Sequence, residues 1–473
     1  MSKKTVDDAL EAEVFPAPPE ELPVGVQPAE AVLAPEPAPG PVTWGKAFWT
    51  ALWVNTTYFA EGLPLIITLR LGTVFFTDIG ASLTSIGYVN FLGLPWNIKF
   101  LWAPLLDIFG TKRRWLVTLQ TIVGLVILGV AWAAYRVPME NPHGHLTGIA
   151  LTLVLLAFVA ATNDIAIDAY YMEGIRGIRE QAAYTGHKAM GYRIAVIAGV
   201  TGLLGLAAVS PDKHLDWALA FGVGGATMLV FALFHAIALP RPETARVSRP
   251  DLRGTFATFG RAFWSYLQQD KIAIVLLFIL TYKIGDEILF SMNSAFLMRE
   301  LGVTKGQLSW LAGVVGAGTT IAGAMAGSYW IKRKGLKKAI WPLTILMNFN
   351  IWAYVWLAWA KPDPTTSQGF ALIAFVHGYE YMAAALGNAV LLVYLLTTCK
   401  AEFKAAHYAI GSAIMSIPSR VVGGFGGTIA AHIGFLNFFI LGFLVSLPAM
   451  LLLFVVPLKD DPQRGGAVPA GGH

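Results

Sequence analysis

Cysteine occurs once in 473 residues, at Cys399. That excludes an intrachain disulfide and any metal cluster built on several thiolates. Charge is also scarce: Asp, Glu, Lys and Arg make up 13% of the chain, against about 25% in soluble proteins. Catalytic signatures are missing as well, with no HExxH, no GxSxG and no glycine loop ending in GK[ST]. The residues therefore point away from an enzyme, and no metal, cofactor or nucleic-acid partner is expected.

What the chain has in place of charge is apolar sequence, 56% of all residues, with a mean hydropathy of +0.59. A bilayer core of about 30 Å takes roughly 20 mostly apolar residues per helix. Twelve such segments can be placed, near 47–76, 84–106, 115–135, 146–171, 182–209, 217–239, 271–298, 307–330, 339–360, 369–398, 407–432 and 435–457. The expectation is an all-α protein of twelve transmembrane helices embedded in the bilayer. Residues 1–42 differ in kind. They are rich in Pro, Ala and Glu, carry eight acids against two lysines, and read as a disordered tail. Beyond it, 32 basic residues face 21 acids, and the place to look for that excess is the loops.

Lys and Arg in alternate loops number seventeen on one side and five on the other. The rich side includes Lys112–Arg114, Arg241–Arg261 and Lys332–Lys338. Basic loops stay in the cytoplasm, so both termini are expected there. The longest connection follows the sixth segment. It divides the chain into a six-helix half at 43–240, a linker at 241–270, a second half at 271–457 and a tail at 458–473. The halves echo one another weakly, in "FFTDIGASLTSIG" against "FLMRELGVTKGQLS" and in the basic loops "TKRRW" and "IKRKGLKK". Two parallel six-helix repeats are the architecture of the major facilitator fold.

Within the spans lie ionisable residues, which are rare there and mark pathways or paired sites. Corresponding helices of the halves carry them: Glu61 and the group Lys283, Asp286, Glu287; Asp164 and Asp168 opposite Glu380; and Arg193 opposite Arg420. Asp164 and Asp168, four apart, share one helix face. His377 is one turn from Glu380, a pairing suited to accepting a proton. Asp164, Glu380, Asp286, Glu61 and His377 are the proton-coupling candidates. Arg193 and Arg420 are the anion contacts, because a guanidinium forks onto carboxylate or phosphate. Lys99 and Lys283 assist them, and Tyr282, Tyr170 and Tyr379 offer rings to stack on a sugar or base. Asp168, near the basic loop, joins Asp107, Arg113 and Arg114 in a cytoplasmic gate. The alternative is that these charges are fixed ion pairs holding helices together.

Other motifs have plainer readings. "GVVGAGTTIAGAMAG" and "GGFGG" follow no strand, and small residues at such spacing let helices approach closely. The sequon at Asn55 lies inside the first span. Trp44, Trp49, Trp115, Trp217 and Trp341 fall near span ends as interfacial anchors.

Several stretches resemble the AmpG-type muropeptide permeases of the major facilitator superfamily. They are "KFLWAPLLDIFGTKRRWL" (Lys99–Leu116), "ATNDIAIDA" (Ala161–Ala169), "GYR" ending at Arg193, "LTYKIGDEI" (Leu280–Ile288) and "FLMRELGV" (Phe296–Val303). The first two are also similar to the acetyl-coenzyme A transporters. Asn163 stands where the permeases commonly have Gln, and "GTKRR" replaces "GRRR". The resemblance implies a secondary transporter of the inner membrane that imports a small anionic solute, an anhydromuropeptide, together with protons. The alternatives are a carrier of acetyl-coenzyme A or another organic anion, and a drug efflux pump.

Overall fold

A computed structural model describes residues 44–458 apart from 104, 109, 138–142, 176–177, 211 and 242–251. The two expected tails and part of the linker lie outside the described residues. Among those described, nine helices are long and apolar enough to cross a membrane, and the remaining structure is short helices and connections.

The first helix, α1, covers residues 44–78 and passes through a π turn at Ile67–Leu71. Next, α2 (83–101) alternates α-helical and 3-10 turns. Then come α3 (Lys112–Arg136), α4 (His143–Gly174), α5 (178–206) and α6 (Lys213–Ala238). After the linker, α7 is Leu252–Leu267, α8 is Ile272–Thr281 and α9 is Ile284–Arg299. These lead to α10 (305–334), α11 (Leu336–Ala360) and α12 (Ser367–Thr397). The run Lys404–Leu452 is divided at Gly434 into α13 (404–433) and α14 (435–452).

The expectation of twelve spans differs from the count of nine at three places, each with a local cause. The 3-10 turns Val89–Gly93 and Lys99–Leu101 break α2 into pieces. A non-helical Lys283 (φ −104°, ψ 2°) separates α8 from α9. Gly434 has φ +75°, a conformation that a residue without Cβ adopts at little cost, so α13 turns into α14 with no loop. The linker, expected only as a loop, contains the helix α7, docked by Tyr266 and Ala262, both fully buried.

Several helix starts are capped by side chains. Thr111 accepts from the Arg114 amide, Asp212 from those of His214 and Leu215, and Thr366 from that of Gly369. Thr304 and Gln307 form a full capping box. Helices α1 to α6 pack on one another, α3 against α4 and α6, and α1 against α5. Among α8 to α14, α10 and α11 lie on α12, and α9 lies on the run that forms α13 and α14. We refer to these as the first and second bundles.

The bundles meet along α2 and α13. A Cβ on Gly87 would sit 2.7 Å from the Gly427 amide nitrogen, so glycines on both sides permit backbone contact. Asn90 donates to the Gly423 carbonyl at 3.2 Å, and Asn97 to the Ser416 hydroxyl at 2.5 Å. A second junction closes the end of the molecule where α1 stops. Arg299 of α9 donates to the carbonyls of Thr77 at 2.7 Å and Phe76 at 3.3 Å. Lys305 bridges Asp78 and Asp216, each at 3.2 Å, and Lys213 reaches Asp78 at 3.1 Å. Ser309 donates to the Thr201 carbonyl at 3.0 Å.

Candidate functional site

Breaks in the helices place the charges. Lys99 begins the last 3-10 turn of α2, where the backbone has left the α-helical path. From there its ammonium donates to Asp164 of α4 at 2.5 Å. Glu61 of α1 completes this group by facing the Asp164 carboxyl. Asn163 is fully buried and ties α4 to α1 by donating to the Ala60 carbonyl at 3.2 Å.

One turn along α4, Asp168 accepts from the Tyr58 hydroxyl at 2.6 Å and lies 3.6 Å from Lys188. The Lys188 ammonium rests 4.6 Å from the rings of both Tyr58 and Tyr171. Expected beside the basic loop, Asp168 is instead held by α1 and α5 of its own bundle. Of the other gate candidates, Arg113 bonds the Ala236 carbonyl of α6 and that of Leu239 just past its end. Arg114 lies in the first turn of α3, where its amide is capped by Thr111. The side chain of Asp107 lies outside the described residues.

The second bundle holds two groups. The break before α9 sets Asp286 and Glu287 in a helix's first turn, where acids complement the helix dipole. Lys283 is 3.2 Å from Glu287 and 3.7 Å from Asp286. The charge of Arg420 acts on Glu287, while its guanidinium packs against Gly93 of α2, across the bundle boundary.

Deeper along α9, Asn293 donates to both Glu380 oxygens at 2.7 Å, and the Tyr354 hydroxyl also donates to Glu380. His377 Nδ1 lies 3.1 Å from that hydroxyl and 3.6 Å from Glu380. All four side chains are buried. Burial of a carboxyl is tolerated when its oxygens accept hydrogen bonds, and this one is fully engaged.

Four expected contacts stand apart from these groups. Arg193 is exposed and, among the described residues, has no ion-pair or hydrogen-bond partner. It and Arg420 are therefore not equivalently placed. Tyr282 is fully buried, packed on Phe278, with its hydroxyl 3.1 Å from that of Thr344. Tyr170 is buried against Trp53 and bonds the Pro240 carbonyl, while Tyr379 reaches the Leu346 carbonyl. The rings of Tyr282 and Tyr170 are engaged in packing, and Tyr379 is half-buried.

Sequence reasoning passed over Asn293 and Tyr354, whose residue types carry no signal of their own. It also passed over Arg70. The signal there was plain, an arginine inside the apolar run "PLIITLRLGTVFF" on the same helix as Glu61.

The sequence profile of the BT1 family matches residues 65–354. The anhydromuropeptide permease of Escherichia coli (strain K12) is 27% identical over 426 residues, 87% of this chain and 82% of that one. A putative transporter AmpG 4 of Rickettsia conorii is 26% identical over 409 residues, 84% of this chain and 94% of the relative. Among solved structures, the inward open xylose transporter XylE from E. coli aligns with a TM-score of 0.61 at 14% identity, over 88% of this chain and 97% of that one. The fold is that of the major facilitator transporters.

Proposed function

From a multi-pass membrane transporter that belongs to the BT1 family, we propose a proton-coupled importer of anhydromuropeptides, working by alternating access across the inner membrane with both termini in the cytoplasm. The observation that carries the coupling is the Lys99–Asp164–Glu61 group. Two carboxyls face one ammonium there, and like charges so close resist being ionised together. One proton can therefore be held and released as the surroundings change. The Asn293–Tyr354–His377–Glu380 group is a second proton store, in the other bundle.

The solute class is supported by the printed name of the E. coli relative and by the cations between the bundles. In this reading the bundles rock against each other, and the α2–α13 contact at Gly87 and Gly427 opens and closes with them. The junction at Asp78 and Lys305 then closes the periplasmic side.

Uptake into vesicles of purified, reconstituted protein tests the proposal. A labelled anhydromuropeptide should accumulate against its gradient when the outside is acidified, and acetyl-coenzyme A should not. Asp164→Asn, which keeps the side chain's shape without a titrating proton, should abolish accumulation while leaving downhill exchange. Accumulation by Asp164→Asn at the normal rate overturns the coupling role. Selective uptake of acetyl-coenzyme A overturns the substrate.

A further inference from the structure

Arg70 occupies the π turn of α1, Ile67–Leu71, eight residues before Asp78. At 1.5 Å per residue that is roughly 12 Å below the closed end of the molecule. It is exposed. Among the described residues no carboxylate pairs with it and no hydrogen bond reaches it. An unpartnered guanidinium within a span must face water or a ligand.

Its direction is set by the second bundle. The guanidinium carbon lies 5.9 Å from the ring centre of Phe290 on α9. Phe290 meets Tyr381 of α12 edge to face at 5.3 Å. Tyr381 in turn lies 4.7 Å from the ring of His377, and the Arg70 charge acts on Tyr381, His377 and Glu380. Arg70 thus points from one bundle into the space before the other, and solvent reaches it there.

We propose that Arg70, with the faces of Phe290 and Tyr381, is the subsite that receives a carboxylate of the transported solute. Arg193 and Arg420, expected in that role, do not have this setting. Arg420 is packed on Gly93 beside Glu287, and among the described residues Arg193 stacks on no ring. The π turn has a physical part in this. A single wide turn rotates the following residues relative to a regular helix, and such turns recur at functional positions. The aromatic faces suit the apolar side of a ring carried near the carboxylate, and the planar fork of arginine suits the carboxylate itself. The assignment rests on the reading of the protein as a carrier of anionic solutes.

The test is calorimetric binding to the full chain in lipid nanodiscs. One probe is an anhydromuropeptide with free carboxylates, and the other is the same molecule with its carboxylates converted to amides. Arg70→Ala should weaken the acid by about thirtyfold and the amide by less than about threefold. Arg70→Lys should recover part of the loss, because an ammonium keeps the charge without the fork. Melting of each unliganded variant at the wild-type temperature shows that the fold is kept. Where Arg70→Ala melts early, the comparison of Arg70→Gln with Arg70→Lys replaces it.

Unchanged binding of the acid by the neutral variant overturns the subsite and leaves the carrier reading intact. Equal binding of acid and amide by the wild type also overturns it, since no carboxylate is then recognised. Failure of the wild type to bind either probe overturns the substrate reading, and the subsite falls with it.

Discussion

A buried ion pair is most informative when one partner is removed. The side chains of Lys99 and Asp164 are 15% and 7% exposed, so each has given up most of its hydration for the other. Losing one partner of such a pair costs about 3–5 kcal/mol, whereas replacing both by apolar groups is often neutral. Lys99→Met should therefore lower the melting temperature clearly, and Lys99→Met with Asp164→Leu should restore most of it. Additive losses in the double variant would show that the two side chains act independently. Cys399 offers a second reading at this scale. It lies outside the long helices, and its thiol donates to the Leu395 carbonyl at 3.3 Å. Burial pushes it up to about 11, with Lys404 opposing. A thiol so raised is almost wholly protonated at neutral pH, and the thiolate is the reactive form. Maleimide labelling of the native protein should rise about tenfold per pH unit from 8 to 10, whereas an ordinary thiol levels off near its pKa of about 8.5. A plateau below pH 9 would place Cys399 in water.

Between elements, backbone contact decides what can move. Gly87 and Gly427 bring α2 and α13 so close that a Cβ on Gly87 would meet the Gly427 amide nitrogen at 2.7 Å and the Gly424 carbonyl oxygen at 2.8 Å. These are backbone atoms, which cannot turn aside as a flexible side chain can. Gly87→Ala should wedge the bundles apart here and disfavour the closed arrangement, with slower uptake and little change in expression. Wild-type uptake would mean that α2 and α13 separate without cost. This contact follows from small residues in apolar segments, and the sequence pattern of "GGFGG" already pointed to packing. The breaks were less legible. Apolar periodicity runs through Tyr282 and Lys283 without interruption, because hydrophobicity reports burial and not the φ of one residue. The site shows the same division. Residue type alone made Asp164, Glu380 and His377 candidates. Their partners Asn293 and Tyr354 became visible only when α9, α11 and α12 were brought together. Tyr282 carried the opposite error, since a tyrosine in a span is as readily a core residue as a solute contact.

Across the whole molecule, the junction at the end of α1 ties the bundles by charge. Asp78 accepts the Trp217 indole at 2.8 Å and pairs with Lys213 of its own bundle and Lys305 of the other. Lys305 also pairs with Asp216, whose side chain is 1% exposed. Two carboxylates so enclosed repel each other unless a cation stands between them. Lys305 supplies it from the second bundle, so separating the bundles leaves Asp78 and Asp216 with Lys213 alone. The closed end is therefore held by a bond that the first bundle cannot make by itself. Arg299 adds donors to the Thr77 carbonyl, which closes the same seam without adding acids. Lys305→Ala should shift the population towards a state open at this end. Spin labels at Leu215, 52% exposed on α6, and at exposed Gln368 on α12 report the separation of the bundles, with Cys399→Ser removing the native thiol. The wild type should give one short distance, and Lys305→Ala a second, longer one that gains population. High salt should move the wild type little, because buried pairs are screened far less than exposed ones. An unchanged distance distribution in Lys305→Ala would assign the closure to Arg299 and to the glycine contact of α2 with α13.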